Sequence, residues 1–300
     1  YSLFTGNSDW NHEDRWSHLP AYRHRNALIN GNISINTNIS CKDIFIGNGN
    51  IHILPTGNLS ANNLTIYPND GILASSSTLR SFGTINISGK ITIFDVFASG
   101  IDPDFQLGDD KSDTNGNYFY VQTYNGEKRA NSQSPSNNWE VIPRTIINTS
   151  QPIFKKNKGY LIAIDASADR QNLRFSSKAK DIPIDFGKNG QASIPVSINN
   201  QSQNQNHNGW YLCGNPLPAP LALSQIESNS ALDGYIYIYD GSTYQPYVIG
   251  SDFAIPPFSA FFVKAHKSTS LSVYNTSEPA NYKLLSTNAP ISFPTSEPQA

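Results

Sequence analysis

The chain has 300 residues, of which 38% are hydrophobic and 15% are charged, and its formal net charge at pH 7 is −2. Lys and Arg are scattered along the sequence, so the chain lacks the concentrated basic surface that recognises nucleic acid, and no nucleic-acid partner is expected. No apolar run approaches the ~18 residues that cross a bilayer, which predicts a chain without a transmembrane segment.

The rest of the composition is rich in Asn, Ser, Gly, Thr and Pro, which favours strands and turns and predicts an all-β protein. The length exceeds the ~100 to 200 residues of a usual domain, so two domains are expected. Methionine is absent, also from position 1. We therefore expect Tyr1 to begin a mature chain whose export signal has been removed, and we expect an extracellular or outer cell-surface location.

Only two cysteines occur, Cys41 and Cys213, and they lie far apart without a C-x-x-C spacing. A disulfide or a zinc site is therefore not expected, and both side chains are interpreted as small buried hydrophobes. No cofactor is predicted from the motifs of the chain.

Short apolar pairs at alternate positions recur between residues 26 and 94, and this period of two is the signature of a strand. The pairs are Ile33/Ile35, Ile44/Ile46, Ile51/Ile53, Leu64/Ile66, Ile85/Ile87 and Ile91/Ile93. Aligning Ile33 with Ile51, Ile44 with Leu64, and Leu64 with Ile85 gives a repeat of about 18 to 21 residues, within the range of β-solenoid coils. Residues 1–100 are predicted to form a β-solenoid module.

Two tryptophans, Trp10 and Trp16, precede the first pair in the pattern N-x-x-W-x-x-x-x-x-W-x-x-x-P. An I-x-G-N-I-x-I stretch and an L-x-I-x-P-x-x-G stretch follow. Together these motifs resemble the solenoid-like opening of many exported surface proteins of Bacteroidetes. The resemblance implies that Trp10 and Trp16 form a cap, which a solenoid needs because its open end exposes apolar core and unpaired strand edge.

After Phe97 the pattern changes to a polar, aspartate-rich passage and then to longer strands with aromatic residues. The predicted strands are Tyr118–Tyr124, Gly159–Ile164, Leu173–Phe175, Tyr235–Tyr239, Ala260–Lys264 and Ser270–Tyr274. They predict antiparallel sheets packed face to face, a β-sandwich-like module over residues 101–276. Residues 277–300 lose periodicity and are expected to form a disordered tail or a linker.

Four motifs carry a second resemblance: K-G-Y at 158–160, G-W-x-L-x-G-N-P-x-P at 209–218, I-Y-x-Y-x-G at 236–241 and I-x-P-x-x-A-F-F-V-K at 255–264. In this order and spacing they look like a β module of the same Bacteroidetes surface proteins. The resemblance spans Asn7 to Tyr274, with Cys213 at a position where family members more often carry an aliphatic residue. It implies a compartment and a fold but no reaction, because the family is defined by architecture.

The acidic loop at residues 109–116 is a candidate metal site. An EF-hand register would place Lys111 at the first ligand position and Gln122 at the twelfth, where a carboxylate is required, so that motif is excluded. A different calcium site built from Asp109, Asp110 and Asp113 stays open, because a flexible acidic loop can gather oxygen ligands.

A run of tyrosines is the candidate ligand-binding site. Alternation places Tyr235, Tyr237 and Tyr239 on one face of a strand, with Tyr244 close by in the following strand. If the intervening isoleucines face the core, these tyrosines form a stripe that can stack on sugars or on a protein partner. The alternative is that both faces of the strand are buried and that the tyrosines pack between sheets.

These observations favour a noncatalytic exported or cell-surface protein that serves adhesion, scaffolding or display, with a glycan or a protein at the cell surface as its partner. A glycan-binding module of a surface polysaccharide system is the first alternative. The second is a carbohydrate-active enzyme, which needs two converging carboxylates that meet only in three dimensions.

Overall fold

The computed structural model of the chain describes residues 1–47, 49–66, 78–81, 84–97, 119–131, 138–142, 158–164, 172–178, 191–196, 207–215, 217, 219–239, 243–256, 259–274 and 283–284. Within these ranges the secondary structure is mostly strand. The α-helix described there, α1 (Gly126–Asn131), has six residues, and short 3-10 turns occur at Glu13–Arg15 and Leu223–Gln225. The all-β class predicted from composition is confirmed.

The first ten strands are β1 (Ser2–Asp9), β2 (Ala27–Ile35), β3 (Asn38–Ser40), β4 (Asp43–Ile46), β5 (Asn50–Ile53), β6 (Asn58–Ala61), β7 (Asn63–Ile66), β8 (Thr78–Ser81), β9 (Thr84–Ile87) and β10 (Lys90–Phe97). They pair with one another in parallel. Strand β1 pairs with nearly the whole length of β2. The first half of β2 pairs with β4, which pairs with β7, which pairs with β10. The second half of β2 pairs with β5, which pairs with β8. Strands β3, β6 and β9 form a separate parallel sheet.

The parallel register places apolar side chains directly above one another. Ile33 pairs with Ile51, which pairs with Leu79, and Ile44 pairs with Leu64. All five side chains belong to one buried cluster. Two of the three predicted alignments, Ile33 with Ile51 and Ile44 with Leu64, are therefore observed as strand pairs.

The third predicted alignment, Leu64 with Ile85, is wrong. Leu64 pairs with Ile91, and Ile85 pairs with Leu59 in the other parallel sheet. The reason is an unequal connection: β4 and β5 are separated by residues 47–49, whereas β7 and β8 are separated by residues 67–77. A repeat of constant length could not follow this longer connection.

Glycines stack where β1, β2 and the start of β5 run side by side. A Cβ atom added to Gly31 would lie 2.3 Å from the carbonyl oxygen of Gly6, and one added to Gly49 would lie 2.2 Å from the carbonyl oxygen of Gly31. Real Cβ atoms do not approach backbone so closely, so each of these positions needs glycine for close approach of neighbouring backbones.

An asparagine follows each stacked glycine, and the asparagine amides bond to one another. Asn32 Nδ2 donates to Asn7 Oδ1 at 2.8 Å, and Asn50 Nδ2 donates to Asn32 Oδ1 at 2.6 Å. Because residues in parallel register stand one strand spacing apart, identical side chains can satisfy each other in a ladder. The Gly-Asn dipeptides thus serve both the close backbone packing and the polar outer side of these strands.

Aromatic residues cover the start of the N-terminal core. Trp10 and Trp16 have ring centroids 5.0 Å apart, Phe4 lies 5.2 Å from Trp16, and Trp16 Nε1 donates to the carbonyl oxygen of Trp10 at 2.9 Å. Ser17 pairs with the free edge of β1, since its N–H donates to the carbonyl oxygen of Leu3 at 2.8 Å. The segment containing both tryptophans therefore covers apolar core and strand edge together.

The remaining strands are β11 (Phe119–Tyr124), β12 (Trp139–Val141), β13 (Tyr160–Ile164), β14 (Asn172–Lys178), β15 (Gln191–Val196), β16 (Trp210–Gly214), β17 (Leu221–Ala222), β18 (Leu232–Tyr239), β19 (Tyr244–Val248), β20 (Phe253–Ile255), β21 (Ala260–Ala265), β22 (Thr269–Tyr274) and β23 (Lys283–Leu284). Among the described residues their pairings are antiparallel, except that β20 and β23 pair in parallel. Strand β14 pairs with β10 and so extends the first parallel sheet, and β23 lies inside the predicted tail. The predicted boundaries at residues 100 and 276 stay predictions.

The sheet that positions the candidate site has the order β16-β21-β18-β19. One face of it belongs to a large aliphatic core that includes Ile236, Ile238, Phe261 and Val263. The opposite face carries an aromatic cluster of Tyr124, Trp210, Leu212, Tyr237 and Phe262. The sheet is therefore packed on both sides, with aliphatic residues on one side and aromatic residues on the other.

Asn215 fastens the turn that follows β16. Its side chain is buried, and Nδ2 donates to the carbonyl oxygens of Ala219 at 3.0 Å, Pro256 at 2.9 Å and Ile255 at 3.3 Å, while Oδ1 accepts the N–H of Leu217 at 3.0 Å. This one amide bonds to backbone groups of two separate segments and so ties them together. Asn215 thus has a structural role.

Candidate functional site

The tyrosine face consists of Tyr235, Tyr237, Tyr239 and Tyr244, the four residues predicted to bind a ligand. Ile236 and Ile238 lie in the aliphatic core, so the three tyrosines of β18 point to the other side of the sheet. Tyr244 is directly opposite Tyr239 in the register of β18 and β19. The four predicted residues therefore share one face.

The tyrosine face is not evenly exposed. Tyr235 is 41% exposed and Tyr237 is 6% exposed, while Tyr239 and Tyr244 are half-buried. Both outcomes anticipated from the sequence therefore occur on one strand: Tyr235 reaches solvent, and Tyr237 packs inside. Whether these residues bind a ligand stays a prediction, and the buried Tyr237 can contribute to it only by holding its neighbours.

Tyr237 is held from two directions. Its ring lies 4.9 Å from that of Trp210, and its hydroxyl donates to Asp233 Oδ2 at 2.6 Å. Burial raises the pKa of the Tyr237 hydroxyl well above its usual range, and the Asp233 hydrogen bond and charge raise it further. Tyr237 is therefore a neutral donor that orients the Asp233 carboxylate.

Tyr239 and Tyr244 form a second aromatic pair, at the end of β18 and the start of β19. Their ring centroids are 5.1 Å apart, and Tyr244 also makes an edge-on contact with Phe262 at 5.3 Å. Such contacts restrict ring motion, so a half-exposed ring is presented in a fixed orientation. This pair is a rigid extension of the tyrosine face.

Helix α1 and strands β11 and β12 cover the middle of the aromatic cluster. Tyr124 contacts Phe262 at 4.7 Å and Trp139 at 5.2 Å, and the Arg129 guanidinium lies 4.6 Å from the Trp210 ring centroid while donating to the Tyr124 hydroxyl at 3.1 Å. A Cβ atom on Gly126 would lie 2.3 Å from the Trp210 carbonyl oxygen, so the helix begins in direct backbone contact with β16. Tyr124 and the buried Tyr237 therefore belong to one aromatic cluster.

Lys264 is a further candidate residue that sequence reasoning missed. It is 7% exposed, and its Nζ lies 5.4 Å from the Trp210 ring centroid. Burial lowers the pKa of the Lys264 ammonium; the Asp233 carboxylate opposes this shift, and the Arg129 charge adds to it. The sequence feature that could have identified Lys264 is strand alternation: it lies two residues after Phe262 and therefore on the same aromatic face.

The outer edge of the sheet is strand β19. Pro246, opposite Tyr237, has no N–H, and Val248, opposite Tyr235, is 56% exposed. A proline on an edge strand interrupts the row of donors that another strand would need for pairing. This edge therefore disfavours addition of a peptide strand while leaving the side chains of Tyr235 and Val248 accessible.

The predicted calcium ligands Asp109, Asp110 and Asp113 lie outside the described residues. In the part of the chain that the structure does describe, no group of three or more His, Cys, Asp or Glu side chains is arranged to hold a metal ion. Cys41 and Cys213 are free and buried, and burial raises the pKa of each thiol to about 12. Neither is a nucleophile at neutral pH.

No helix among the described residues is long and apolar enough to cross a membrane. Comparison with known proteins gave no matching protein-family model, no matching curated protein and no matching solved structure. Any functional conclusion therefore depends on the residues and contacts described above.

Proposed function

We propose that this protein is a noncatalytic exported or cell-surface protein that serves adhesion, scaffolding or display. In this proposal residues 1–100 form a β-solenoid that acts as a rigid support, and residues 101–276 form a β-sandwich-like module that carries the contact surface. The observation that supports it most is the in-register parallel pairing of Ile33, Ile51 and Leu79, accompanied by the asparagine ladder. Stacked strands of this kind suit an extended support.

Two further observations support a contact role. The chain is low in charge, with many Asn and Ser side chains, which suits a surface that interacts through shape and hydrogen bonds instead of electrostatic steering. The motifs around Trp10, Trp16 and 209–218 resemble those of exported Bacteroidetes surface proteins. From that resemblance we propose an extracellular or outer cell-surface location.

The test is to label producing cells with an antibody before and after permeabilisation, and to compare adhesion of the parent strain with that of a deletion strain. The proposal predicts full labelling of intact cells and loss of surface attachment or of surface architecture on deletion. Labelling that appears only after permeabilisation would overturn it.

Glycan binding at the tyrosine face is the second candidate function. The exposed Tyr235 ring next to Val248, and the rigid half-exposed Tyr239–Tyr244 pair, favour it because aromatic rings with fixed orientation stack on sugar rings. Hydrolysis is less favoured here: Asp233 accepts hydrogen bonds from the Tyr235 N–H at 3.1 Å and from the Tyr237 hydroxyl, so its carboxylate is engaged in holding the strand.

A further inference from the structure

Strand β18 contains an irregularity at residues 233–235, which lie opposite Lys264 in the register of β18 and β21. Leu232 pairs with Ala265, but the next pair is Ile236 with Val263, so the intervening residues of β18 bulge opposite Lys264. Gly234 sits in the bulge with φ +89, a conformation that suits glycine. Bulges re-aim side chains, and this one places Asp233 and Tyr235 next to the Lys264 position.

The Lys264 ammonium is unusual in its surroundings. The Lys264 residue as a whole is more than nine-tenths buried, yet within the described part of the chain Nζ lies over the Trp210 ring and near the charges of Asp233 and Arg129, with no hydrogen bond or ion pair. A nearly buried charge without a close partner costs free energy, and such groups are generally paired or functional. Among the described residues no hydrogen bond or ion pair joins Asp233 to Lys264, and the two Asp233 oxygens accept from the Tyr235 N–H and the Tyr237 hydroxyl.

We propose that Tyr235 and Lys264 together form a binding site for an acidic glycan, with the Tyr235 ring stacking on the sugar and the Lys264 ammonium pairing with its carboxylate. This inference rests on the second candidate function and names its ligand class. The positive charge of Arg129 on the same Trp210 ring adds to the attraction for an anion.

An acidic peptide is the competing occupant, and the edge of the sheet argues against it. An extended peptide that adds to a sheet needs a row of free backbone donors and acceptors, and Pro246 interrupts that row on β19 next to the site. Binding of an acidic sugar needs an exposed aromatic ring and one positively charged group instead, and Tyr235 and Lys264 supply these. The structure therefore favours the glycan.

The test measures binding of the whole chain to uronic-acid and sialic-acid oligosaccharides, each paired with its methyl ester, and to a polyglutamate peptide. The ester keeps the sugar ring but removes the charge. Lys264→Met keeps the length of the side chain without the ammonium, and Tyr235→Ala removes the ring. Tyr22→Ala is the matched control, since Tyr22 is also 41% exposed but lies in the N-terminal part of the chain.

We expect at least one carboxylated glycan to bind about tenfold or more tightly than its ester, which corresponds to about 1.4 kcal/mol. Lys264→Met should remove that preference, Tyr235→Ala should weaken binding to acid and ester alike, and Tyr22→Ala should change neither. A melting temperature for Lys264→Met at or above that of the parent shows that the variant is folded.

Three results would overturn the inference: equal binding of acid and ester, an unchanged preference in Lys264→Met, or tighter binding of polyglutamate than of any glycan. If glycan binding depends on Tyr235 but is the same for acid and ester, the proposed glycan-binding function is supported and only the proposed preference for an acidic ligand is refuted. Absence of binding to every glycan would remove both.

Discussion

Replacing Asn215 by Asp should destabilise the protein strongly, although the two side chains have nearly the same shape. The Asn215 amide donates to the carbonyl oxygens of Ala219, Pro256 and Ile255, and the carboxylate of the variant cannot donate to any of them. Each buried carbonyl left without a donor costs about 1–3 kcal/mol, and a buried charge adds to this. The Pro256 carbonyl oxygen keeps the Ser259 N–H as a donor at 3.3 Å, so the lost Ala219 bond and the uncompensated buried charge together lead us to expect a loss of about 3–5 kcal/mol at pH 7.

The measurement is urea unfolding of the parent, Asn215→Asp and Asn215→Ala, with the exposed Asn131→Asp as a control for the added charge. Burial should raise the folded-state pKa of the introduced carboxyl above its unfolded value of about 3.9. The loss in free energy of unfolding should therefore be smallest below about pH 4 and should grow as the pH rises through the folded-state pKa of the introduced carboxyl. An unfolding midpoint for Asn215→Asp equal to that of Asn131→Asp would refute the reasoning.

Three further predictions address the N-terminal strands and the cysteines. Gly31→Ala should lower the free energy of unfolding by about 1–3 kcal/mol, because its Cβ would meet the Gly6 carbonyl oxygen; an unchanged urea midpoint would contradict this. Arg23 has φ 52, a conformation that suits glycine, and its N–H donates to the carbonyl oxygen of Ser40. Arg23→Gly should therefore leave the free energy of unfolding unchanged or raise it by up to about 1 kcal/mol, as measured in a thermal melt. A loss above about 1 kcal/mol would show that the Arg23 side chain stabilises the fold. Both cysteine thiols should resist iodoacetamide at pH 8 in the folded protein, because thiolate forms only near their raised pKa of about 12, and should react after unfolding; rapid alkylation of the native chain, detected by mass spectrometry, would contradict their burial.

Local patterns in the sequence predicted well which side chains of a strand share a face. The alternation of Tyr235 to Tyr239 placed Ile236 and Ile238 in the core, as observed, because side chains of a strand alternate regardless of what surrounds them. The pairing of Ile33 with Ile51 followed from the short, similar connections between them.

Contacts between distant segments were not predictable in this way. Tyr237 shares its buried cluster with Tyr124, more than 100 residues earlier in the chain, and no local pattern reports such packing. The wrong alignment of Leu64 and the failure to identify Lys264 have the same cause. The strand partner of Leu64 depends on the length of a connection, and the neighbours of Lys264 depend on a bulge. Sequence periodicity describes one strand at a time, whereas a site is assembled from several.

The most direct measurement of the proposed N-terminal support is cross-linking of its outward ladder. Asn32 and Asn50 are paired in parallel register, so their Cα atoms stand about one strand spacing apart, within the ~4.4–6.8 Å that a disulfide needs. Asn32→Cys combined with Asn50→Cys should form a disulfide under mild oxidation, while Asn32→Cys combined with His52→Cys should not, because His52 pairs with Ser34. Equal cross-linking of both variants, or none in the first, would contradict the stacked parallel strands on which the proposed support depends.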